Sequence, residues 1–385
     1  MKPAIDVIGE DACAGCFGCY NSCPFEAITM EISKNGFYIP VIDRDKCTEC
    51  GLCQNHCPVL VTDKPQMKDY SPASFAAWST DEQARMASSS GGVFSSLATT
   101  VMSSGGTVFG AVWNSSMLVE HVEVCSSDSL ESLRGSKYMQ SNVGKSFAKV
   151  ASLIESRKPV LFSGTPCQVA ALNTFVKSDL LITVDVICHG VPSIVAFQKY
   201  LEEKRGEKKV KRVSFRDKRT GWSRFSFLIE YDDGSIYTRR FTFDDFCWGF
   251  NNNFYLNNIC YECPFSRLPR QSDITLGDFW GVPRELTDER GVSAVIINSA
   301  KGEELFSRVF GIERVPVNLD MVAKGNPRLT SGEQMRPQSR EKLLEELSEK
   351  DFAYIAGKYL KHPGEFKSFA KGCVYRLLRK MKLKK

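Results

Sequence analysis

Cys13-Ala14-Gly15-Cys16-Phe17-Gly18-Cys19-Tyr20-Asn21-Ser22-Cys23-Pro24 is the stretch on which the reading of this chain turns. Its cysteines are separated by two, two and three residues, and a proline closes the run. The same spacing returns in Cys47-Thr48-Glu49-Cys50-Gly51-Leu52-Cys53-Gln54-Asn55-His56-Cys57-Pro58. Eight of the 15 cysteines therefore fall within the first 57 residues. In a secreted chain such density reads as a disulfide framework. In a compartment that keeps thiols reduced it reads as metal binding.

The spacing is that of bacterial two-cluster ferredoxins. Three thiolates two residues apart wrap one face of an iron–sulfur cubane. The fourth, three residues further on, points away and reaches the other cluster. Cluster one is therefore assigned to Cys13, Cys16, Cys19 and Cys57, and cluster two to Cys47, Cys50, Cys53 and Cys23. Ala14, Gly15, Gly18 and Gly51 are small enough for backbone N–H groups to approach the sulfurs and tune their potential. Between the runs, Ile28–Ile32 and Phe37–Val41 flank Asn35-Gly36, a hairpin signal. Zinc is the competing metal, but it favours two separated CxxC units or added histidines. His56, inside the second run, reads as a spare surface histidine.

Composition is globular, 43% hydrophobic and 25% charged over 385 residues, enough for two or three domains. A net charge of +5 gives no reason to expect nucleic acid. The start, Met1-Lys2-Pro3-Ala4-Ile5-Asp6, lacks the apolar core of a signal peptide. No apolar run reaches the roughly 18–20 residues that span a bilayer. A cytoplasmic location is expected.

Residues near Thr62 to Pro72 read as a polar linker with Lys64-Pro65 and Ser71-Pro72, followed by a strand at Phe75–Trp78. Ser88-Ser89-Ser90-Gly91-Gly92 then opens a helix whose apolar face is Val93, Leu97 and Val101. Free N–H groups there suit an anion, a phosphate or flavin, but equally an ordinary N-cap and glycine turn. Gly144-Lys145-Ser146 mimics a phosphate loop, yet Met139 stands where that motif requires glycine.

From Val143 the chain alternates helix (Val143–Lys158), strand (Pro159–Gly164), helix (Gln168–Val176), strand (Leu180–Cys188) and helix (Ser193–Lys204). This order argues for a parallel sheet, whose ligands gather at the carboxyl ends of strands. Cys167 follows the first strand and Cys188 ends the second. Cys260-Tyr261-Glu262-Cys263 adds two thiolates at bite distance. The four make a possible four-thiolate site, with Cys247 competing as a ligand. Cys167 and Cys188 also suit the role of small buried hydrophobes. Cys125 and Cys373 have no metal spacing and read as structural.

Several segments, in this order, resemble the beta subunits of coenzyme F420 hydrogenases and dehydrogenases. They are Ser90-Gly91-Gly92, Gly135-Ser136-Lys137-Tyr138 with Gln140-Ser141, Thr165-Pro166-Cys167-Gln168, Cys188-His189-Gly190, Cys260-x-x-Cys263, and Ser272 to Gly281. The resemblance runs from about Phe75 to about Asn326. It implies a third 4Fe-4S cluster on Cys167, Cys188, Cys260 and Cys263. It also implies FAD contacted by Ser90, Gly91, Gly92, Ser136, Lys137, Tyr138 and Ser141. Asp273 and Asp278 would shape the cluster loop or flavin edge, or simply cap strand ends. His189 would be a catalytic proton donor or a hydrogen-bonding neighbour of the site. Val213 to Trp222 resembles a bacterial branch associated with surface polysaccharide synthesis, so the linked carrier is either a ferredoxin or the deazaflavin.

The expected architecture is α+β / α/β: a small bacterial-ferredoxin-like domain (1–62) fused to a larger α/β domain with a partly parallel sheet. That larger domain divides into a flavin-contacting part (75–155) and a cluster and flavin core (156–326), followed by a helical basic tail (327–385). The expected function is an iron–sulfur flavoprotein oxidoreductase that passes electrons between the ferredoxin clusters, a flavin and a small-molecule or sugar-linked substrate. Its partner is an electron donor or acceptor protein. Two alternatives are an electron-transfer subunit that docks a partner enzyme and a binding module of a polysaccharide pathway. The tail from Phe369 to Lys385, rich in lysine and arginine, reads as a solvated helix end or a peripheral contact with an acidic membrane surface.

Overall fold

The computed structural model describes residues 1–61 and 70–361. The linker motif Lys64-Pro65, Cys373 and the basic stretch Phe369 to Lys385 lie outside these residues.

In the amino-terminal unit, β1 (Ile28–Ile32) and β2 (Tyr38–Ile42) pair antiparallel, with Ile28 opposite Ile42 and Ile32 opposite Tyr38. Gly36 takes the left-handed conformation the Asn-Gly turn requires, at φ 83°. The core of the unit is Ala4, Ile28, Cys53 and Cys57 with a few half-buried neighbours. So few apolar side chains cannot hold a unit of this size by burial alone, and a metal centre is the usual remedy.

The body is a large mixed sheet. Its first strands are β3 (Ala73–Ser79), β4 (Thr107–Trp113), β5 (Val119–Val124), β6 (Ser141–Asn142), β7 (Val160–Gly164) and β8 (Leu181–Val186). A separate antiparallel sheet follows from β9 (Val210–Asp217), β10 (Ser226–Tyr231) and β11 (Ile236–Arg240). The chain then returns with β12 (Ile274–Asp278), β13 (Ser293–Ile297) and β14 (Ile312–Val317). The nine strands lie in the order β14-β3-β13-β12-β8-β7-β4-β5-β6. The run β12-β8-β7-β4 is parallel, as the alternating sequence predicts. β13, β3 and β14 join antiparallel on one side. Every residue of β13 is buried, the mark of a strand covered on both faces.

The helix Pro166–Phe175 crosses from β7 to β8. It begins at a capping box in which Thr165 and Gln168 bond each other's backbone, with proline at the first turn. Such a start fixes Cys167 at the carboxyl end of β7. Parallel pairing of β7 with β8 and of β8 with β12 brings the ends of all three strands to one rim. The helices Arg340–Glu349 and Phe352–Tyr359 pack Leu343, Leu344, Leu347, Phe352 and Ile355 into the main core. The body's main core thus takes in side chains from both helices.

The amino-terminal unit is docked on this body by backbone contacts. Gln140 donates to the Ala14 carbonyl (3.2 Å) and accepts from the Tyr38 N–H (2.9 Å). Asn21 donates to the Gly144 carbonyl, and Ile194 N–H donates to the Gly36 carbonyl. Gly18 fits close against the His56 carbonyl and Ala171, where a Cβ would collide. His56 departs from expectation. It is half-buried, its ring edge on Phe175 at 5.4 Å, because the second cysteine run ends against the helix Pro166–Phe175.

Candidate metal centres

The two cysteine runs build two alike loops. In the first, the residues on either side of the middle cysteine, Gly15 and Phe17, have positive φ (57° and 68°). In the second, Glu49 and Gly51 do the same (52° and 81°). Each run thus places one glycine and one larger residue in the left-handed region, at swapped positions. Such paired turns aim successive N–H groups inward at a shared anion. The Gly15 N–H donates to Cys13 Sγ (3.4 Å), and the Ala4 N–H donates to Cys53 Sγ (3.3 Å).

The thiols sort into groups across the two runs. Cys57 bears electrostatically on Cys13, Cys16 and Cys19, three residues of the other run. Cys23 in turn lines one cavity with Cys47, Cys50 and Cys53. The groups are neighbours, since Cys53 bears electrostatically on both Cys19 and Cys57.

A third group lies at the sheet rim. Cys167 starts its helix after β7, Cys188 follows β8, and Cys260 ends the turn Asn258–Tyr261 just before Cys263. Cys260 bears on Cys263, Cys188 and Cys167, and Cys167 bears on Cys263 and Cys188. Thr165 Oγ1 lies 3.1 Å from Cys167 Sγ. Cys247 is elsewhere, fully buried in the helix Asp245–Asn251 among the main-core aromatics. Cys16 also bears on Cys167, with Ala14, Ala170 and Phe265 packed between the two regions.

Burial raises these thiols, and neighbouring thiols raise them further. Cys13 and Cys188 are pushed up to about 11 and Cys167 to about 12, while Cys16, Cys19 and Cys260 lie well above the usual range. Unaided, they stay protonated near neutral pH. Bound iron supplies the positive charge that makes them thiolates, so the donor set fits such clusters. Among the described residues, no three His, Cys, Asp or Glu groups close on a point for a single ion. A cubane's thiolates end on four different irons and need no such point.

Sequence reasoning missed the brace around the third group. Arg328 donates to the carbonyls of Cys188 (3.4 Å), Cys260 (3.3 Å) and Gly332 (2.8 Å). Gln334 donates to the carbonyls of His189 (2.5 Å) and Cys260 (3.2 Å), and the Cys263 N–H donates to the Gly332 carbonyl. These residues fall just past the resemblance, in an irregular stretch with no motif.

The residues expected at a flavin are dispersed. Gly91 is wedged against Ala77 and Ser293, with its N–H on Ser293 Oγ (2.9 Å). Ser90 Oγ donates to the Val292 carbonyl, and Gly92 caps the helix Val93–Ser103 at φ 84°. The Ser136 N–H donates to Ser89 Oγ, and Lys137 Nζ turns onto the Ser132 and Arg134 carbonyls. Ser141 Oγ meets His121 Nδ1 (2.9 Å) and accepts from Gln168. Tyr138 Oη accepts from Arg216 (3.0 Å), which forks onto Asp278 and lies over Phe225. Trp222 donates to the same Asp278 and stacks on Trp280 at 5.0 Å. Arg216 Nε is buried without a partner. Asp273 accepts from the N–H and hydroxyl of Thr183 inside β8 and from the hydroxyl of Ser299, the residue that caps the helix Ala300–Arg308. His189 Nε2 lies 3.2 Å from the Phe250 carbonyl, so that nitrogen carries a proton.

Fold and thiol groups together define an iron–sulfur electron-transfer protein. Residues 12–61 match a 4Fe-4S dicluster domain model, and residues 39–90 match a second model of that description. Residues 157–315 match the model for the carboxyl-terminal part of the coenzyme F420 hydrogenase/dehydrogenase beta subunit. Over that region the chain is similar to the coenzyme F420 hydrogenase/dehydrogenase beta subunit family, whose name describes an oxidoreductase subunit. One similar solved chain comes from the xenon-derivatised F420-reducing NiFe hydrogenase complex of Methanosarcina barkeri. It shares 18% identity with this chain, at a TM-score of 0.47, over 71% of this chain and 91% of that one. No curated protein matches. No helix among the described residues is long and apolar enough to cross a membrane.

Proposed function

We propose that this chain is an iron–sulfur flavoprotein oxidoreductase that conducts electrons through three 4Fe-4S centres in series. The second centre would be held by Cys23, Cys47, Cys50 and Cys53, and the first by Cys13, Cys16, Cys19 and Cys57. The third would be held by Cys167, Cys188, Cys260 and Cys263. The observation that carries this reading is the packing of both Cys16 and Cys167 against the cluster of Ala14, Ala170 and Phe265, which brings the amino-terminal thiols beside those of the sheet rim. A partner protein exchanges electrons at one end, and FAD at the other serves a small-molecule or sugar-linked substrate.

Clusters carry electrons singly, and a flavin converts between one- and two-electron chemistry. This chain's residues orient the centres, exclude water from the inner two and hold protons at defined atoms. The buried, unpartnered Arg216 Nε beside Tyr138 and Trp280 suits an acceptor atom of a flavin. From the expected set Gly92 and Tyr138 are kept, Tyr138 because its hydroxyl accepts from Arg216 and still has a hydrogen to donate, whereas Ser90, Gly91, Ser136, Lys137 and Ser141 spend hydrogen-bonding groups within the chain. His189 would hold its Nε2 proton on the Phe250 carbonyl as a donor near the third centre.

Anaerobic purification with iron, sulfide and flavin analysis tests the reading. About twelve irons per chain are expected, falling to about eight in Cys260→Ser. A count of about eight that Cys260→Ser leaves unchanged would remove the third centre.

A further inference from the structure

We propose that the outer face of the second centre is the docking surface for a redox protein whose own face is basic around an apolar middle. The inference rests on the cluster reading above and names where, and with what chemistry, electrons cross to a partner.

Among the cysteines assigned to the three centres, only Cys50 is exposed. The series of thiol groups therefore meets solvent at the second centre. Apolar side chains surround that point. Phe25 is 46% exposed and Leu52 36%, and both line the same cavity as the four cysteines. These are large hydrophobic groups left unburied beside a redox centre, in the smaller unit of the protein. Exposed apolar groups gathered with a polar rim mark an interaction site.

The rim is acidic. Residues 1–61 carry eight carboxylates against four lysines and arginines, while the whole chain is net +5. On this face Arg44 is paired with Asp6 (2.7 Å) and Lys46 with Asp43 (3.2 Å). Glu26, Asp45 and Glu49 are exposed and form no ion pair among the described residues, and Lys2 and the Met1 ammonium, which donates to the Glu49 carbonyl, remain as nearby cations. A cubane held by four thiolates adds negative charge. A partner that buries this face must bring cations to the rim and an apolar edge to the middle.

The test uses the full chain, cluster-loaded and reduced with dithionite that is then removed. Its electron transfer to cytochrome c, a basic haem protein with an exposed apolar haem edge, is followed by stopped flow across ionic strength. The rate should fall as salt rises. Glu26→Lys/Asp45→Lys should slow it about 10-fold at low salt and flatten the salt slope. Iron content and the reduced-cluster EPR spectrum should stay unchanged, and the rate to ferricyanide should not fall. The neutral variant Glu26→Gln/Asp45→Asn should lie between. Phe25→Ser/Leu52→Ser should slow transfer without changing the salt slope.

A salt slope untouched by charge reversal would overturn the proposal. So would charge reversal that abolished self-association in sedimentation while leaving the cytochrome rate alone, which would assign the face to a second copy. An iron-free preparation, seen by analysis before any rate is read, would instead defeat the cluster reading on which the proposal rests.

Discussion

Asp185→Asn should destabilise the protein by about 3 kcal/mol, out of proportion to the loss of one charge. Asp185 and Arg270 face each other with side chains 1% and 0% exposed, Nη2 to Oδ2 at 2.7 Å. Thr275 Oγ1 donates to the other carboxylate oxygen (2.6 Å). Arg270 also donates to the carbonyls of Val186 (3.0 Å) and Phe265 (3.3 Å), while its Nε has no partner. The pair ties the segment between Cys263 and β12 to the end of β8, just before Cys188. Removing one partner of a buried ion pair costs about 3–5 kcal/mol, because the other charge stays in low dielectric. The two surviving carbonyl bonds set the expectation at the lower end. Removing both charges, in Asp185→Leu/Arg270→Met, should restore most of the loss. Anaerobic urea unfolding, read by tryptophan fluorescence and cluster absorbance in parallel, measures this. With a slope of about 3 kcal/mol per molar, the midpoint should drop by about 1 M. A single variant within about 0.5 kcal/mol of the parent, or a double variant as unstable as the single, would refute the reasoning.

Two more outcomes rest on the same kind of geometry. Arg328→Gln should release the loops of Cys188 and Cys260 and take iron from about twelve to about eight per chain, with the amino-terminal clusters retained; Arg328→Lys should do nearly the same, because lysine lacks the fork that spans three carbonyls. Unchanged iron and spectra in both would show that the brace is dispensable. His121, buried with Nε2 on the Ser163 carbonyl, is pushed down to about 4, chiefly by burial. The unfolded chain takes up its proton near pH 6.5 and the native one near 4, so stability falls as pH drops through that window, by about 3 kcal/mol in all. His121→Gln should flatten this acid limb in urea titrations at pH 7 and pH 5; an equal loss in both proteins would exclude His121 as the cause.

The iron–sulfur character of the first 57 residues was legible because the ligand set is local. Two, two and three intervening residues dictate a loop whatever surrounds it, and the Asn35-Gly36 turn needs only its own backbone. The parallel run β12-β8-β7-β4 was legible in part, since alternating helix and strand leave few ways to pack. The antiparallel return of β13, β3 and β14 was not, because strand order depends on which edges meet after the chain has left and come back. The expected flavin residues show the same limit. Ser90-Gly91-Gly92 reads alike whether it cradles a phosphate or wedges between strands, and the close approach to Ala77 and Ser293 is a tertiary fact.

Sequence alone determined that thiols in ferredoxin spacing would gather in two groups, because each group closes over a short chain. Tertiary structure alone decided that Cys16 and Cys167 pack against one apolar cluster, that Cys247 is excluded from the sheet rim, and that Arg328 and Gln334 clamp the loops there. Those contacts join residues tens to hundreds of positions apart. Their geometry is fixed by how the small unit seats on the helix Pro166–Phe175, and no local spacing encodes that fit.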